Sequence, residues 1–183
     1  ITTEDQVMIS SYDWHPRIQY GFGLNIVYKN FDLGVFFNGS AKRKIMINSG
    51  IAPFLSGGGD GEEGETLARN LMQWIADDHW SLTSQNPKAY WPRLSNTLIA
   101  NNNQRSTQFM QDGSFLRFKS AEIGYTLPKS FTNKMRLTTC RFYASGTNLL
   151  LFSKFKLWDV EMGGNGLGYP IQRVINLGLN LSF

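Results

Sequence analysis

The sequence predicts an all-β fold: an antiparallel sheet of the transmembrane β-barrel kind with long loops, one of them carrying a short helix. Three observations carry that reading. Long segments alternate apolar and polar residues with a period of two, which is the period of a strand and not of a helix. Short and long connections alternate along the chain. Aromatic residues make up 14% of the 183 residues and gather at the ends of the alternating segments, as in the girdles of membrane barrels. Alternation also suits a soluble half-buried sheet, and aromatics favour strands anywhere. The ordering of the loops separates the two.

Taken in order, Arg17 to Tyr28 is the cleanest strand, with Ile18, Tyr20, Phe22, Leu24, Ile26 and Tyr28 alternating with Arg17, Gln19, Gly21, Gly23, Asn25 and Val27. Tyr12 and Trp14 lead into it. A turn at Lys29 and Asn30 returns the chain through Phe31, Leu33, Val35 and Phe37, with Asp32, Gly34 and Asn38 opposite. Two strands of about ten residues make a hairpin long enough to cross a bilayer at a tilt. From Arg43 to Asp112 the alternation stops, and Gly, Asn, Gln, Ser and Trp dominate. A structureless stretch of that length is foreign to a compact domain, so residues 43–112 are expected to be a long outer loop with structure of its own. Within it Leu67, Leu71, Trp74 and Ile75 share a helical face behind Glu62, Glu63 and Glu65, acids that favour a helix N-terminus; a short amphipathic helix is predicted at about 65–77.

Strand pattern resumes at "SFLRFKSAEIGYTLP". Its apolar parity switches near Ser120, which predicts a β-bulge there or an upper half that projects beyond the membrane. Pro128 ends it. A turn around Lys129 to Lys134, flanked by Tyr125 and Phe131, leads into "MRLTTCRFYASGTNLLLF". A second long loop, Ser153 to Tyr169, precedes the closing strand, 171–183. There Ile171, Arg173, Ile175, Leu177, Leu179, Leu181 and Phe183 face away from Gln172, Val174, Asn176, Gly178, Asn180 and Ser182. Short turns on one side and long loops on the other are the signature of an outer-membrane barrel. A soluble sandwich has no reason to sort its loops by length.

Composition is compatible with this. A 20.8 kDa chain with 42% hydrophobic residues and a mean hydropathy of -0.27 looks soluble on average, but in a barrel only alternate residues meet lipid. No run of about eighteen apolar residues writes a transmembrane helix. The start, "ITTEDQVMISSYDW", lacks the regions of a secretory signal and reads as internal to a longer protein. Cys140 is a single cysteine, so no disulfide forms within the chain. The net charge of +4 and pI of about 9.2 come from scattered residues, with Lys42, Arg43 and Lys44 as the one cluster, which argues against a nucleic-acid partner.

Several motifs that could carry chemistry have weak contexts. Gly59, Gly61 and Gly64 spell GxGxxG, but Asp60, Glu62 and Glu63 would repel a pyrophosphate and no buried strand precedes them. Asp77, Asp78 and His79 are adjacent on one helix end and so point in different directions. With His15 before Pro16 they complete no triad legible in sequence, and no nucleophile is marked, so no enzyme is expected. Asn38, Gly39 and Ser40 form a glycosylation sequon.

"YGFGLNIVYKNFDLGVFF", "PRLS" followed by "NNNQRS", "DGSFLRFKSAEIGYTLPK", "RFYASGTNLL" and "YPIQRVINLGLNLSF" resemble, in order and spacing, the C-terminal end of the SusC/RagA family of TonB-dependent outer-membrane transporters. The resemblance covers essentially the whole chain. It implies about the last five strands of a plugged barrel of roughly twenty-two, integral to the outer membrane. It also implies energised import of oligosaccharides or peptides, a SusD-like surface lipoprotein as lid, and a dimer of transporter–lid pairs. TonB would act through N-terminal parts outside this chain. The terminal strand, with Tyr169, Leu177, Leu179, Leu181 and Phe183, looks like the signal read by the barrel assembly machinery. Phe183 then sits at the periplasmic rim and Arg173 near the outer interface, where a cation costs only about 0–1 kcal/mol. Asn176, Asn180 and Ser182 face the lumen. An EF-hand-like stretch in many family members would place Asp5 at the twelfth position of a calcium loop; no other cofactor is implied. In the long loop, Trp74, Trp80, Tyr90 and Trp91 are expected to help form the lid interface or substrate chamber, since aromatic rings suit sugar faces and peptide side chains, although packing of the loop against itself explains them equally. A passive porin or adhesive barrel, and a soluble β-sandwich that binds carbohydrate, are the alternatives.

Overall fold

The computed structural model describes residues 4, 7–8, 10, 15–47, 72–95, 99–164, 166 and 168–183. Five strands form one antiparallel sheet: β1 (Ile18–Tyr28), β2 (Phe31–Ala41), β5 (Phe115–Thr126), β6 (Thr139–Ser153) and β7 (Val174–Ser182), hydrogen-bonded in that order. Two shorter strands, β3 (Lys44–Met46) and β4 (Met110–Asp112), pair with each other and close the base of the long loop. Among the described residues no helix is long and apolar enough to cross a membrane.

The hairpin β1–β2 turns on Lys29 and Asn30, with Lys29 at φ 55° and Tyr28 paired to Phe31. Asn30 is held to the next strand: its Nδ2 donates to Thr126 O at 2.7 Å, and Thr126 N donates to Asn30 O at 2.8 Å. The predicted bulge is present. The β2–β5 pairing steps from Phe36↔Ser120 to Phe37↔Phe118, leaving Lys119 as the extra residue. Across β5–β6 the step from Phe118↔Leu150 to Ser120↔Thr147 leaves Asn148 and Leu149 opposite it, with Asn148 at φ 53°. Lys119 Nζ donates to Asn148 Oδ1 at 3.0 Å, and Asn148 Nδ2 donates to Gln172 O at 2.8 Å. The bulge therefore reverses the parity of β5, while β6, with two residues opposite Lys119, keeps its own, so that the apolar residues of both strands stay on one side of the sheet.

Three predicted boundaries move. The closing strand, expected over 171–183, pairs only over Val174–Ser182. The second short connection contains a one-turn helix, α2 (Lys129–Thr132), and a 3-10 turn at Asn133–Met135. Leu137 N donates to Thr132 O, and both residues are buried, so capping this helix consumes residues 135–138 and β6 begins at Thr139 instead of Met135. In the long loop, α1 (Gln73–Asp77) carries the buried Ile75; residues 65–71 of the predicted helix lie outside the described residues.

Burial is distributed unusually. Of the buried apolar side chains, Ile45, Ile47, Ile75, Trp91, Phe109, Phe155 and Val160 lie in the connections, and Leu137 in a turn; Phe115 and Cys140 stand in the five-stranded sheet. The sheet is exposed on both faces along β1 and almost everywhere along β7.

Candidate functional site

The register fixes two faces on the sheet. Tyr28, Phe31, Tyr125, Phe142 and Leu179 align in one rung, Ile26, Leu33, Ile123, Ala144 and Leu177 in the next, and Leu24, Val35, Ala121, Gly146 and Ile175 in a third. Beyond the bulge, Phe22, Phe37, Phe118 and Leu150 continue the same side. Rings stack along it, Phe22 on Phe37 at 5.2 Å, Phe37 on Phe118 at 4.5 Å, and Phe31 against Tyr125 at 4.5 Å between centroids.

The opposite face carries Asp32, Glu122, Arg141, Tyr143, Ser145, Asn176 and Asn180 by the same registers. At its centre Arg141 bridges three strands. Its Nε donates to Asp32 Oδ1 at 3.1 Å, its Nη2 to Asp32 Oδ2, and Nη2 also to Glu122 Oε1 at 2.7 Å. Planar guanidinium geometry lets one side chain serve two carboxylates at once. Gly124 makes room for it, since a Cβ there would lie 2.5 Å from both Arg141 Nε and Asp32 Oδ1. The guanidinium also stands 5.3 Å from the Tyr143 ring centroid, and that ring lies where a side chain at Gly178 would be.

Above the sheet the two long loops fold into one lobe. Ile47, Ile75, Trp91 and Phe109 form one buried cluster, and Ile45, Phe115, Phe155 and Val160 a second; Leu157 and Trp158 pack against both. Trp74 from the first loop meets Trp158 from the second at 6.0 Å between centroids. An ion cluster anchors the second loop to the sheet. Arg117, 2% exposed, donates from Nη2 to both Asp159 oxygens at 2.6 and 2.7 Å, and its Nε stands 2.5 Å from Glu161 Oε2, a contact not aligned as a hydrogen bond. Asp159 in turn accepts from Glu161 N at 3.0 Å, capping the 3-10 turn Val160–Met162.

The residues singled out in sequence fall in different places. Trp91 is 2% exposed and inside the lobe, ringed by Trp74, Tyr90 and Phe109. Tyr90 is half-buried; its hydroxyl donates to Gln108 O at 2.8 Å and accepts from Gln111 Nε2 at 2.8 Å. Burial pushes the Tyr90 phenol pKa up, and the Gln111 hydrogen bond partly offsets that. Trp74 and Trp80 are half-buried, and Trp80 N donates to Trp91 O at 2.9 Å. Trp91 is packed inside the lobe, while Trp74, Trp80 and Tyr90 each keep part of their surface. Phe183, Leu181, Leu179, Leu177 and Tyr169 are 91, 45, 49, 83 and 79% exposed. Asp5 and the GxGxxG glycines lie outside the described residues. His79 Nδ1 lies 2.6 Å from Ala76 O. Ser40 of the sequon is buried in β2 and not in a loop. Among the described residues no group of three or more His, Cys, Asp or Glu is placed to hold a metal ion.

Asp112 belongs to the stem. Burial pushes its carboxyl pKa up, but hydrogen bonds from Ser114 and the charges of Lys44 and Lys154 outweigh burial and hold it below the ordinary range. The two ion clusters escaped sequence reasoning. Arg141, Glu122 and Asp32 are charges on the polar parity of long strands and could have been sought there. Arg117 meets Asp159 42 residues along the chain, and nothing local announces the pairing.

No family model matches the chain. It is 30% identical to TonB-dependent receptor P3 of Formosa agariphila over an alignment of 197 positions covering 100% of this chain, and 29% identical to TonB-dependent receptor P26 of the same organism over 196. It spans 18% of the length of each relative. Solved structures of the RagAB peptide importer are similar in fold: the "open-open" state at TM-score 0.67 and 25% identity, the "closed-closed" state at 0.68 and 26%, each covering 95% of this chain and 18% of that chain. Strand order, sheet faces and these likenesses agree: the chain is a SusC/RagA-like segment of a TonB-dependent transporter.

Proposed function

We propose that this segment forms part of the wall and outer loops of an energised outer-membrane importer of oligosaccharides or peptides, working with a SusD-like surface lipoprotein as lid. The observation that carries it is the register itself, which sets one unbroken apolar face against a face of Asp32, Glu122, Arg141 and Asn side chains. Such a sheet suits lipid on one side and a water-filled lumen on the other. The segment contributes about the last five strands of a barrel of roughly twenty-two. The plug and the parts that meet TonB belong to the rest of the protein. The likeness to the RagAB peptide importer supports a two-component assembly and peptides among its cargoes; a dimer of transporter–lid pairs is part of the same proposal.

In this reading the lobe faces the lid. Trp74, Trp80 and Tyr90 offer surface to lid or cargo, and Trp91 holds them in place from within. Tyr169, Leu177, Leu179, Leu181 and Phe183 serve as the assembly signal. Asp5 completes a calcium loop, and Asp5→Asn is expected to lower the calcium bound by the intact protein. The test is to extract the intact protein from outer membranes in mild detergent, with any tag kept away from Phe183, and to identify co-purifying proteins by mass spectrometry. A stoichiometric surface lipoprotein is expected. A barrel that came out alone would contradict the lidded importer and favour a lidless receptor or porin.

A further inference from the structure

The fold gathers lysines that the sequence keeps apart. Lys42 and Lys44 lie where β2 gives way to the stem, and Lys154 and Lys156 lie at the start of the second loop. Ser40, Phe115 and Ser153 form a common rung of β2, β5 and β6, and Ser153 Oγ donates to Ser114 O at 3.1 Å. One step beyond that rung come Ala41, Ser114 and Lys154. Lys42 follows at once, exposed and in the left-handed region at φ 54°. Lys44 pairs across the stem with Asp112, and the charges of Lys44 and Lys154 both act on that carboxylate. Two distant segments thus bring four ammonium groups to one corner, and Asp112 can balance one of them.

The corner stands over the apolar face. Phe115 shares the parity of Arg117 on the polar face and is buried in the lobe with Ile45 and Phe155. Alternation turns Lys44 away from Ile45, and Lys154 follows Leu150 and Phe152 on the apolar parity of β6. The rung beneath it is Tyr20, Gly39, Leu116 and Phe152. There Tyr20 lies over Gly39 and its hydroxyl donates to Phe115 O at 2.9 Å, as suits an aromatic at a membrane interface. The neighbouring charges turn elsewhere. Arg43 Nη2 lies 3.9 Å from where a Cβ on Gly163 would stand, and Asp159 and Glu161 are held by Arg117.

We propose that this corner binds the phosphate groups of a glycolipid of the outer leaflet, through Lys42, Lys154 and Lys156, with Lys44 pinned by Asp112 beneath them. The inference rests on the membrane-wall reading above. Height selects a headgroup, because the cations begin where the last apolar rung ends. Charge selects an anion, and lysine binds phosphate as a mobile point charge without needing a preformed cleft. Position on the lipid side sets the corner apart from lid and cargo, which lie over the polar face. Cations drawn from two segments suit a headgroup with more than one phosphate.

The experiment uses the intact transporter, stripped of native lipid and placed in phosphatidylcholine nanodiscs. Bisphosphorylated lipid A is the probe, and native mass spectrometry reads its binding. Wild type is expected to bind it about tenfold or more tightly than the same lipid without phosphates. Replacing Lys42, Lys154 and Lys156 together by Gln is expected to weaken binding about fivefold for each lysine removed, and replacing them by Arg to preserve it. If the triple Gln variant fails to assemble, Lys154→Gln with Lys156→Gln makes the same comparison. Equal binding of the two lipids, or lipid A binding unchanged in the Gln variants, would overturn the proposal. Displacement of lipid A by equimolar inorganic phosphate would also overturn it, reducing the corner to a free-anion site. Loss of lid association or cargo uptake in the Gln variants with lipid A binding intact would assign the lysines to the mouth instead. A protein that never enters the nanodiscs would contradict the membrane reading itself, so the two failures are distinguishable.

Discussion

The sheet and the lobe bury their apolar side chains differently. In the lobe, Ile75 and Val160 are fully buried and Trp91 nearly so, while in the sheet Phe22, Leu24 and Leu177 stay 55, 56 and 83% exposed. Apolar side chains are thus sequestered in the lobe and displayed on the sheet, as the proposed membrane wall requires, since hydrocarbon outside such a wall removes the cost of exposing them. The inversion also assigns the charges. Arg117 is buried beneath a loop with Asp159 and Glu161, whereas Arg141, Asp32 and Glu122 line an open polar face with side-chain exposures of 24, 33 and 46%.

The largest expected effect breaks the lobe. Arg117→Ala leaves two carboxylates at the foot of the second loop without their cation, a change that costs about 3–5 kcal/mol for buried pairs. Hydrogen exchange should rise across residues 154–164 while the amides of β1 and β2 stay protected. Uniform loss of protection would mean that lobe and wall fold as one unit. Next in size, Leu24→Arg puts a cation at mid-height on the apolar face and should cost about 2–4 kcal/mol when the transporter is refolded into vesicles. Asn25→Arg, one residue away on the polar face, should be tolerated.

Smaller effects sharpen the comparison. Asp112 has a folded-state pKa below its unfolded value, so the stability it adds is present above the unfolded value and is lost as pH falls through the folded one. The stem β3–β4 should therefore keep its protection at neutral pH and loosen only below about pH 4, and Asp112→Asn should remove that pH dependence as read by exchange at Gly113 and Ser114. The smallest change is expected at Arg173, next to β7 on the apolar parity. Arg173→Leu should alter refolding stability by no more than about 1 kcal/mol, the value for an interfacial position, and a loss of several kcal/mol would move that residue out of the interface.

The sheet was the legible part because strand alternation is local and a two-residue period names the face of every residue. Even the bulge announced itself, since Phe118 and Ile123 cannot share a face without an extra residue between them. The lobe was much less legible. Its aromatics said that something packs, but the contact of Trp74 with Trp158 and the pairing of Arg117 with Asp159 join distant segments, and no period encodes them. The start of β6 was misplaced for a related reason: "MRLT" alternates acceptably as a strand, and only the buried Leu137, bonded back to Thr132, gives it to the turn.

The central claim is that the two faces of this sheet meet lipid and water respectively, and site-directed spin labelling tests it most directly. In the intact transporter with Cys140→Ala, labels placed singly at residues 24–27 and 174–177 are read in vesicles for collision with oxygen and with a water-soluble nickel chelate. The account predicts oxygen-rich signals at positions 24, 26, 175 and 177 and chelate-accessible ones at 25, 27, 174 and 176. Val27 and Val174 are the decisive pair, because they are apolar in composition yet placed on the polar face by register. Accessibility that followed hydropathy instead of parity, with Val27 and Val174 on the lipid side, would contradict it.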